Sequence, residues 1–156
     1  MAEVTASIVV RAPLERTFQY IADYSRALEW MDGMSEFTLV GTQARGVGAR
    51  VRAVHYVLGL AVPIELRIVE YVENEKLVSV STGPVRSVST WRVEPVEGGT
   101  RVSFRGDYRI VGIPVIPFAD SILKSEVGGH ITRSLRNLRR RLEVEADERQ
   151  ADEPSH

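Results

Sequence analysis

The chain is predicted to be an α+β domain in which a curved, seven-stranded antiparallel sheet wraps round one long C-terminal helix, with two short helices after the first strand. Three observations predict it. The apolar pattern has period two near the start, switches to helical spacing for two short stretches, returns to period two from Ser35 to Val111, and ends in a single long helical stripe. The strand-like runs are joined by short turns at Gly46 and Gly48, Gly59, Glu73 to Lys76, Gly83-Pro84 and Gly98-Gly99, too short for parallel crossovers. Finally, 156 residues with 44% hydrophobic content fit one domain with one core.

Each element has its own signal. Val4, Ala6, Ile8 and Val10 alternate with Thr5, Ser7 and Val9, which reads as a first strand. Pro13 stops it and is favoured in a first helical turn, so Leu14, Phe18, Ile21 and Ala22 predict a short amphipathic helix over 13–22. Ser25 is expected to cap a second short helix carrying Leu28, Trp30 and Met31, which Asp32-Gly33 breaks. Six further strands are predicted at 36–42, 49–58, 61–72, 77–82, 85–96 and 100–111. After Gly112 and Pro114, Phe118, Ala119, Ile122, Leu123, Val127, Ile131, Leu135, Leu138 and Leu142 form an apolar stripe. About 25 residues of helix reach roughly 37 Å, enough to cross the domain.

Residues 1–143 are therefore expected to form the domain. Val144 to His156 carry Glu145, Asp147, Glu148, Asp152 and Glu153 with almost nothing apolar, and are expected to be a disordered acidic tail. Lys and Arg number 20 against 21 Asp and Glu, so a formal net charge of -1 gives no global field to attract nucleic acid, which is not an expected partner. The absence of cysteine excludes disulfides and thiolate chemistry. No window approaches the roughly 20 apolar residues of a membrane span, and Met1 to Val10 lacks a signal-peptide pattern, so a soluble, cytoplasmic protein is expected. No motif implies a cofactor, and none is expected; the oligomeric state is not readable.

Particular residues resemble a known family. Val10-Arg11-Ala12-Pro13-Leu14-Glu15-Arg16-Thr17-Phe18, then Asp23 and Trp30, resembles the opening of the polyketide cyclase/dehydrase branch of the helix-grip (START/SRPBCC) superfamily. So do Gly46-Val47-Gly48-Ala49 before a strand, Glu70-Tyr71 closing a later one, and Gly98-Gly99-Thr100-Arg101-Val102 opening the last. The resemblance covers Val4 to about Leu142. It implies a helix-grip fold with a cavity between sheet and long helix for a hydrophobic or amphipathic molecule such as a lipid, quinone, polyketide or other aromatic compound. No catalytic motif of the superfamily's enzymes matches residue by residue, so the resemblance assigns no catalytic residue.

Strand alternation nominates the cavity wall. Val102, Phe104, Gly106 and Tyr108 share one face of the last strand, and Ser87, Ser89, Trp91 and Val93 one face of the preceding strand. Trp91 and Tyr108 join a large apolar body to a polar tip, which can orient a ligand. His55 shares a face with Val51, Ala53 and Val57, placing the natural proton-transfer side chain on an apolar inner wall. On the long helix, Glu126 and His130 are four residues apart and share a side, flanking Gly128-Gly129, a pair that suggests close backbone approach, a kink or space kept open for a ligand. A metal would need a third ligand, from Asp120 or His55, and no metal site is expected. Trp30, Met31, Met34 and Phe37 are expected to face Ile116, Pro117 and Phe118 as an apolar mouth, with 111–117 as a gate. The arginines at 133, 136, 139, 140 and 141 read as a helix end favoured by its dipole and neutralised by the acidic tail.

The leading expectation is a binding or carrier protein with Trp30, Met34, Phe37, His55, Ser89, Trp91, Phe104, Tyr108, Phe118, Ile122 and Glu126 around its hydrophobic ligand. A second reading is an enzyme of polyketide cyclase or dehydratase type, with His55, or Glu126 with His130, moving a proton. A third is a protein-interaction module, which predicts a filled interior and an exposed apolar patch near Trp30 and Phe118.

Overall fold

The computed structural model describes residues 2–111 and 118–152. Its elements follow the predicted order: β1 (Ala2–Val10), α1 (Leu14–Ala22), a 3-10 helix (Tyr24–Glu29), β2 (Met34–Val40), β3 (Arg50–Val57), β4 (Leu60–Val72), β5 (Lys76–Thr82), β6 (Val85–Val96), β7 (Gly99–Ile110) and α2 (Ala119–Asp152). The seven strands form one antiparallel sheet in the order β1-β7-β6-β5-β4-β3-β2. From β2 to β7 the chain is a meander of neighbours, while β1 pairs with β7. β1 and β2 therefore lie at opposite edges, and the segment between them must cross the whole sheet; α1 and the 3-10 helix make that crossing.

The second short helix is a 3-10 helix, and its cap is Asp23, not Ser25. The Asp23 carboxylate accepts from the Ser25 backbone N–H at 3.1 Å and from its hydroxyl at 2.6 Å. Asp23 stands one residue after α1 ends, so a single residue ends one helix and, through its carboxylate, caps the next. Register breaks at Met34/Glu36 and Ile68/Glu70 place bulges in β2 and β4, and bulges increase local bend and twist. The β3–β4 hairpin turns on Leu58 (φ 53) and Gly59 (φ 76), the two-residue connection with both positions left-handed.

The core lies between the inner face of the sheet and α2. Val10, Val51, Ile68, Leu77 and Val102 are fully buried on the strands; Phe18 from α1 and Leu123, Val127, Leu138 and Leu142 from α2 close over them. α2 packs chiefly against β1, with smaller contacts to β3 and β7.

The expected disordered tail from Val144 onward is corrected as far as Asp152, because α2 continues to that residue. Its carboxylates have partners: Glu143 accepts from the Arg11 backbone N–H at 3.1 Å, and Glu145 from Arg16 Nη2 at 2.7 Å and from Arg26. Burial opposes ionisation of Glu145, but the Arg26 and Arg16 hydrogen bonds outweigh it and hold its carboxyl below the usual range. Composition counts apolar surface, whereas ion pairs to α1 and the 3-10 helix anchor this stretch. The acidic residues thus neutralise Arg11, Arg16 and Arg26, not the arginines of α2. Arg133 bonds Asp32, Arg140 bonds Asn137 and Arg141 lies 4.0 Å from Glu29. Residues 153–156 lie outside the described residues.

Candidate functional site

The inward faces of β3 to β7 and one side of α2 enclose a cavity. The space open to a water-sized sphere is about 70 Å³; the whole empty volume, solvent-facing mouth included, is about 640 Å³. Ile64 and Leu66 on β4, Val85 and Trp91 on β6, Phe104 on β7, and Val127 and Ile131 on α2 supply apolar wall, with Met31 and Met34 beside them. The interior is not completely filled, contrary to what the interaction-module reading predicts.

A patch of hydroxyls interrupts this apolar surface. Ser79 and Ser81 on β5 pair across the ladder with Ser89 and Ser87 on β6, and Ser87 pairs in turn with Tyr108 on β7. All are buried. The Ser81 hydroxyl donates to the Val85 carbonyl at 3.0 Å and lies 2.8 Å from the Ser87 hydroxyl. Burial pushes the Tyr108 phenol up to about 12, partly offset by its hydrogen bond with Ser89, so it is a neutral O–H. Burial likewise raises the Tyr24 phenol, which hydrogen-bonds Ser79. Gly106 is opposite Ser89, and a Cβ there would fall 2.8 Å from Phe104 Cζ; glycine lets the Phe104 and Tyr108 rings lie over the strand. No lysine or arginine lines the cavity among the described residues.

At the opposite wall, Asp32 and His130 meet. His130 Nδ1 is 2.7 Å from Asp32 Oδ2, which also accepts from Arg133 Nε at 2.8 Å. Burial opposes the Asp32 charge, but the hydrogen bonds from His130 and Arg133, with Arg133's charge, outweigh it and hold the carboxyl below its ordinary value. An ionised carboxylate only accepts, so the Nδ1 of His130 carries the hydrogen. Arg133 Nη2, 3.2 Å from that Nδ1, is then a contact between two donors; Arg133's bond is the one to Asp32. The Asp32 backbone N–H donates to the Ser134 hydroxyl at 2.8 Å, which donates to the His130 carbonyl at 2.7 Å. Gly33, at φ 81, completes the approach, since a Cβ there would sit 2.7 Å from the His130 ring. His130 Nε2 is buried without a hydrogen-bond partner.

His55 faces inward as the alternation predicted, 5% exposed, with its ring centroid 6.0 Å from that of His130. Burial first, and then the neighbouring His130, push it down to about 4; Glu126 opposes this. It is neutral near pH 7.

The structure brings together Met34, His55, Ser89, Trp91, Phe104, Tyr108 and His130 in the cavity wall. Five other predicted site residues, Trp30, Phe37, Phe118, Ile122 and Glu126, lie outside that wall. Trp30 is 1% exposed, behind the wall, edge-on to Trp91 with ring centroids 5.3 Å apart; its carbonyl accepts from Asn137. Phe37 packs on Tyr24. Phe118 is 80% exposed at the start of α2, and Ile122 is also exposed. Because Trp30 is buried, no exposed patch joins it to Phe118. Glu126 does share a side with His130, their nearest atoms 3.9 Å apart, but its carboxylate is occupied by the Leu58 backbone N–H at 2.7 and 2.8 Å. The expected gate at 111–117, with Ile116 and Pro117, lies outside the described residues except for Val111. Among the described residues no group of three or more His, Cys, Asp or Glu is placed to hold a metal ion. No helix among them is long and apolar enough to cross a membrane.

An open antiparallel sheet gripping a long C-terminal helix, with a cavity between them, is the helix-grip fold. The chain belongs to the family described as polyketide cyclase / dehydrase and lipid transport, whose model matches residues 1–143. No curated protein matches the sequence. Solved structures share the fold. TTHA0849 from Thermus thermophilus is 23% identical with a TM-score of 0.73, over 90% of this chain and 96% of that one. A START superfamily protein from Mycobacterium smegmatis is 14% identical with a TM-score of 0.73, over 91% and 99%. XoxI from Bacillus cereus is 18% identical with a TM-score of 0.68, over 91% and 96%. Family and fold are compatible with binding of a hydrophobic ligand.

Proposed function

We propose that the protein binds or carries a small, neutral amphipathic molecule whose carbon skeleton meets the apolar wall and whose oxygen atoms meet the hydroxyl patch. The observation that carries this reading is the buried array of Ser79, Ser81, Ser87, Ser89 and Tyr108 on an otherwise apolar inner face. A sheet that needed only to pack would gain by placing valine or leucine there, because each buried hydroxyl must be hydrogen-bonded to offset its desolvation. With no lysine or arginine among the described residues of the wall, a carboxylate or phosphate inside would lack a permanent counter-charge, so a neutral ligand is favoured. The enclosed 70 Å³ is well below the roughly 300–1,000 Å³ of drug-sized sites. A ligand is therefore partly enclosed and partly in the mouth, or it displaces Met31 and Met34, the most adaptable side chains of the wall.

The test is a binding panel of hydroxylated aromatics, quinones and fatty alcohols, each beside its deoxygenated counterpart, read by native mass spectrometry and thermal shift. Oxygenated members should bind, and changing Ser87 and Ser89 together to alanine should weaken them about tenfold relative to their counterparts, the worth of roughly one hydrogen bond. Failure of every member to bind would sink the reading.

A further inference from the structure

We propose that His130, oriented by Asp32, is an acid–base residue that moves a proton on the molecule bound in the cavity. This deepens the binding reading above and rests on it. The geometry has three parts. Asp32 accepts the Nδ1 hydrogen at 2.7 Å and is itself fixed by Arg133 Nε and, through its own backbone N–H, by the Ser134 hydroxyl. In the neutral ring that bond leaves the lone pair on Nε2, the arrangement a general base needs. Nε2 is buried and has no hydrogen-bond partner, although its ring forms part of the cavity wall. A merely structural histidine would be expected to bond through both nitrogens.

The surroundings fit the charge that such a step creates. When Nε2 takes a proton, the imidazolium has the Asp32 carboxylate at Nδ1 and the Glu126 carboxylate 3.9 Å from Nε2. Arg133 on α2, with Nη2 3.2 Å from Nδ1, opposes that charge. Asp32 is a positioning residue, and His130 is the group that would meet the substrate.

The reaction class is proton transfer beside a carbonyl. Nε2 removes a proton from the carbon next to the carbonyl, and the C–H electron pair becomes the carbon–carbon double bond of an enolate. The carbonyl π pair moves to oxygen, where a wall hydroxyl such as Tyr108 or Ser89 can donate a hydrogen bond. The imidazolium then returns the proton to a different atom of the same molecule, so no oxidant, reductant or co-reactant is consumed.

The experiment has two arms. In the first, small cyclic ketones, 2-indanone and 2-tetralone, are incubated with the protein in D2O and exchange at the carbon beside the carbonyl is followed by NMR, with binding read from protein chemical shifts. The wild type should accelerate exchange at least a hundredfold over His130→Gln, the lower end of what a positioned base supplies. Asp32→Asn should lose rate while still binding, and its pH profile should shift. Ketone that binds without exchange faster than in His130→Gln overturns the proton-transfer proposal and leaves the binding reading standing; ketones that never bind overturn the proposal for this substrate class, and the panel above then decides the binding reading. The second arm needs no ligand and no variant: nitrogen-15 shifts of the His130 ring should report hydrogen on Nδ1 and a bare Nε2. The opposite tautomer overturns the proposal.

Discussion

The two halves of α2 lie on one continuous helix and are held in different ways. From Ile131 onward, Leu135, Leu138 and Leu142 are buried at successive turns, and Glu143 and Glu145 add bonds to Arg11, Arg16 and Arg26. From Ala119 to His130 only Leu123 and Val127 are buried, and polar side chains do the tying: Glu126 to the β3–β4 turn and His130 to Asp32. The second half is an anchor built on apolar area. The first is a cover whose contacts are few and directional, so it opens at lower cost than the anchor.

Breaking the anchor should have the largest effect. Leu138 is fully buried, so Leu138→Ala should cost about 2–5 kcal/mol of unfolding free energy in chemical denaturation. A loss below about 1 kcal/mol would mean that the two halves are not distinct in kind.

Acid should act on the cover. The unfolded chain's histidines titrate near 6.5, whereas folded His55 is held down at about 4. Between those values the unfolded state carries a proton that the folded state excludes, so stability is full above about pH 6.5 and falls as pH drops toward 4. The loss is up to about 3 kcal/mol for this one group. Asp32, depressed in the folded state, acts lower, where falling pH protonates it, so the two effects separate. Thermal melts across pH 4–7 should show the loss, and His55→Phe should flatten it. Amide exchange at pH 5 should rise first in 119–130; a uniform rise along α2 would contradict the distinction.

Most of the sheet was legible because alternation is a local property. The same rule that placed Ser87, Ser89, Trp91, Phe104, Tyr108 and His55 inward, applied to Leu77, Ser79 and Ser81, would have found the other half of the hydroxyl patch. Asp32 was missed because, next to Gly33, it reads as a helix breaker, and its partner stands 98 residues away. The one available signal was a carboxylate directly following Trp30-Met31, at the proposed mouth. Spacing placed Glu126 on the side of His130 correctly but could not name its partner: four residues along a helix fix a face, whereas the Leu58 N–H comes from a hairpin 68 residues away. Phe118 and Ile122 fit the apolar stripe, yet both are exposed; periodicity marks a face of the helix and not how far along it the cover extends.

The smallest expected effect sharpens the account of the cover itself. Gly128 and Gly129 sit inside the helix with no close approach of another backbone to explain them: a Cβ at Gly128 would meet nothing within 4 Å, and one at Gly129 would come 3.3 Å from the Arg133 guanidinium. Gly128→Ala should therefore recover helix propensity and raise stability by about 0.5–1 kcal/mol, measured by denaturant titration. Gly129→Ala should gain less, because Arg133 must shift while holding Asp32. If Gly128→Ala stabilises the free protein and also weakens ligand binding in the panel, the open space beside it is used by the ligand. If it stabilises without touching affinity, the glycine serves to loosen the cover, and the wall of the site ends at Val127 and His130.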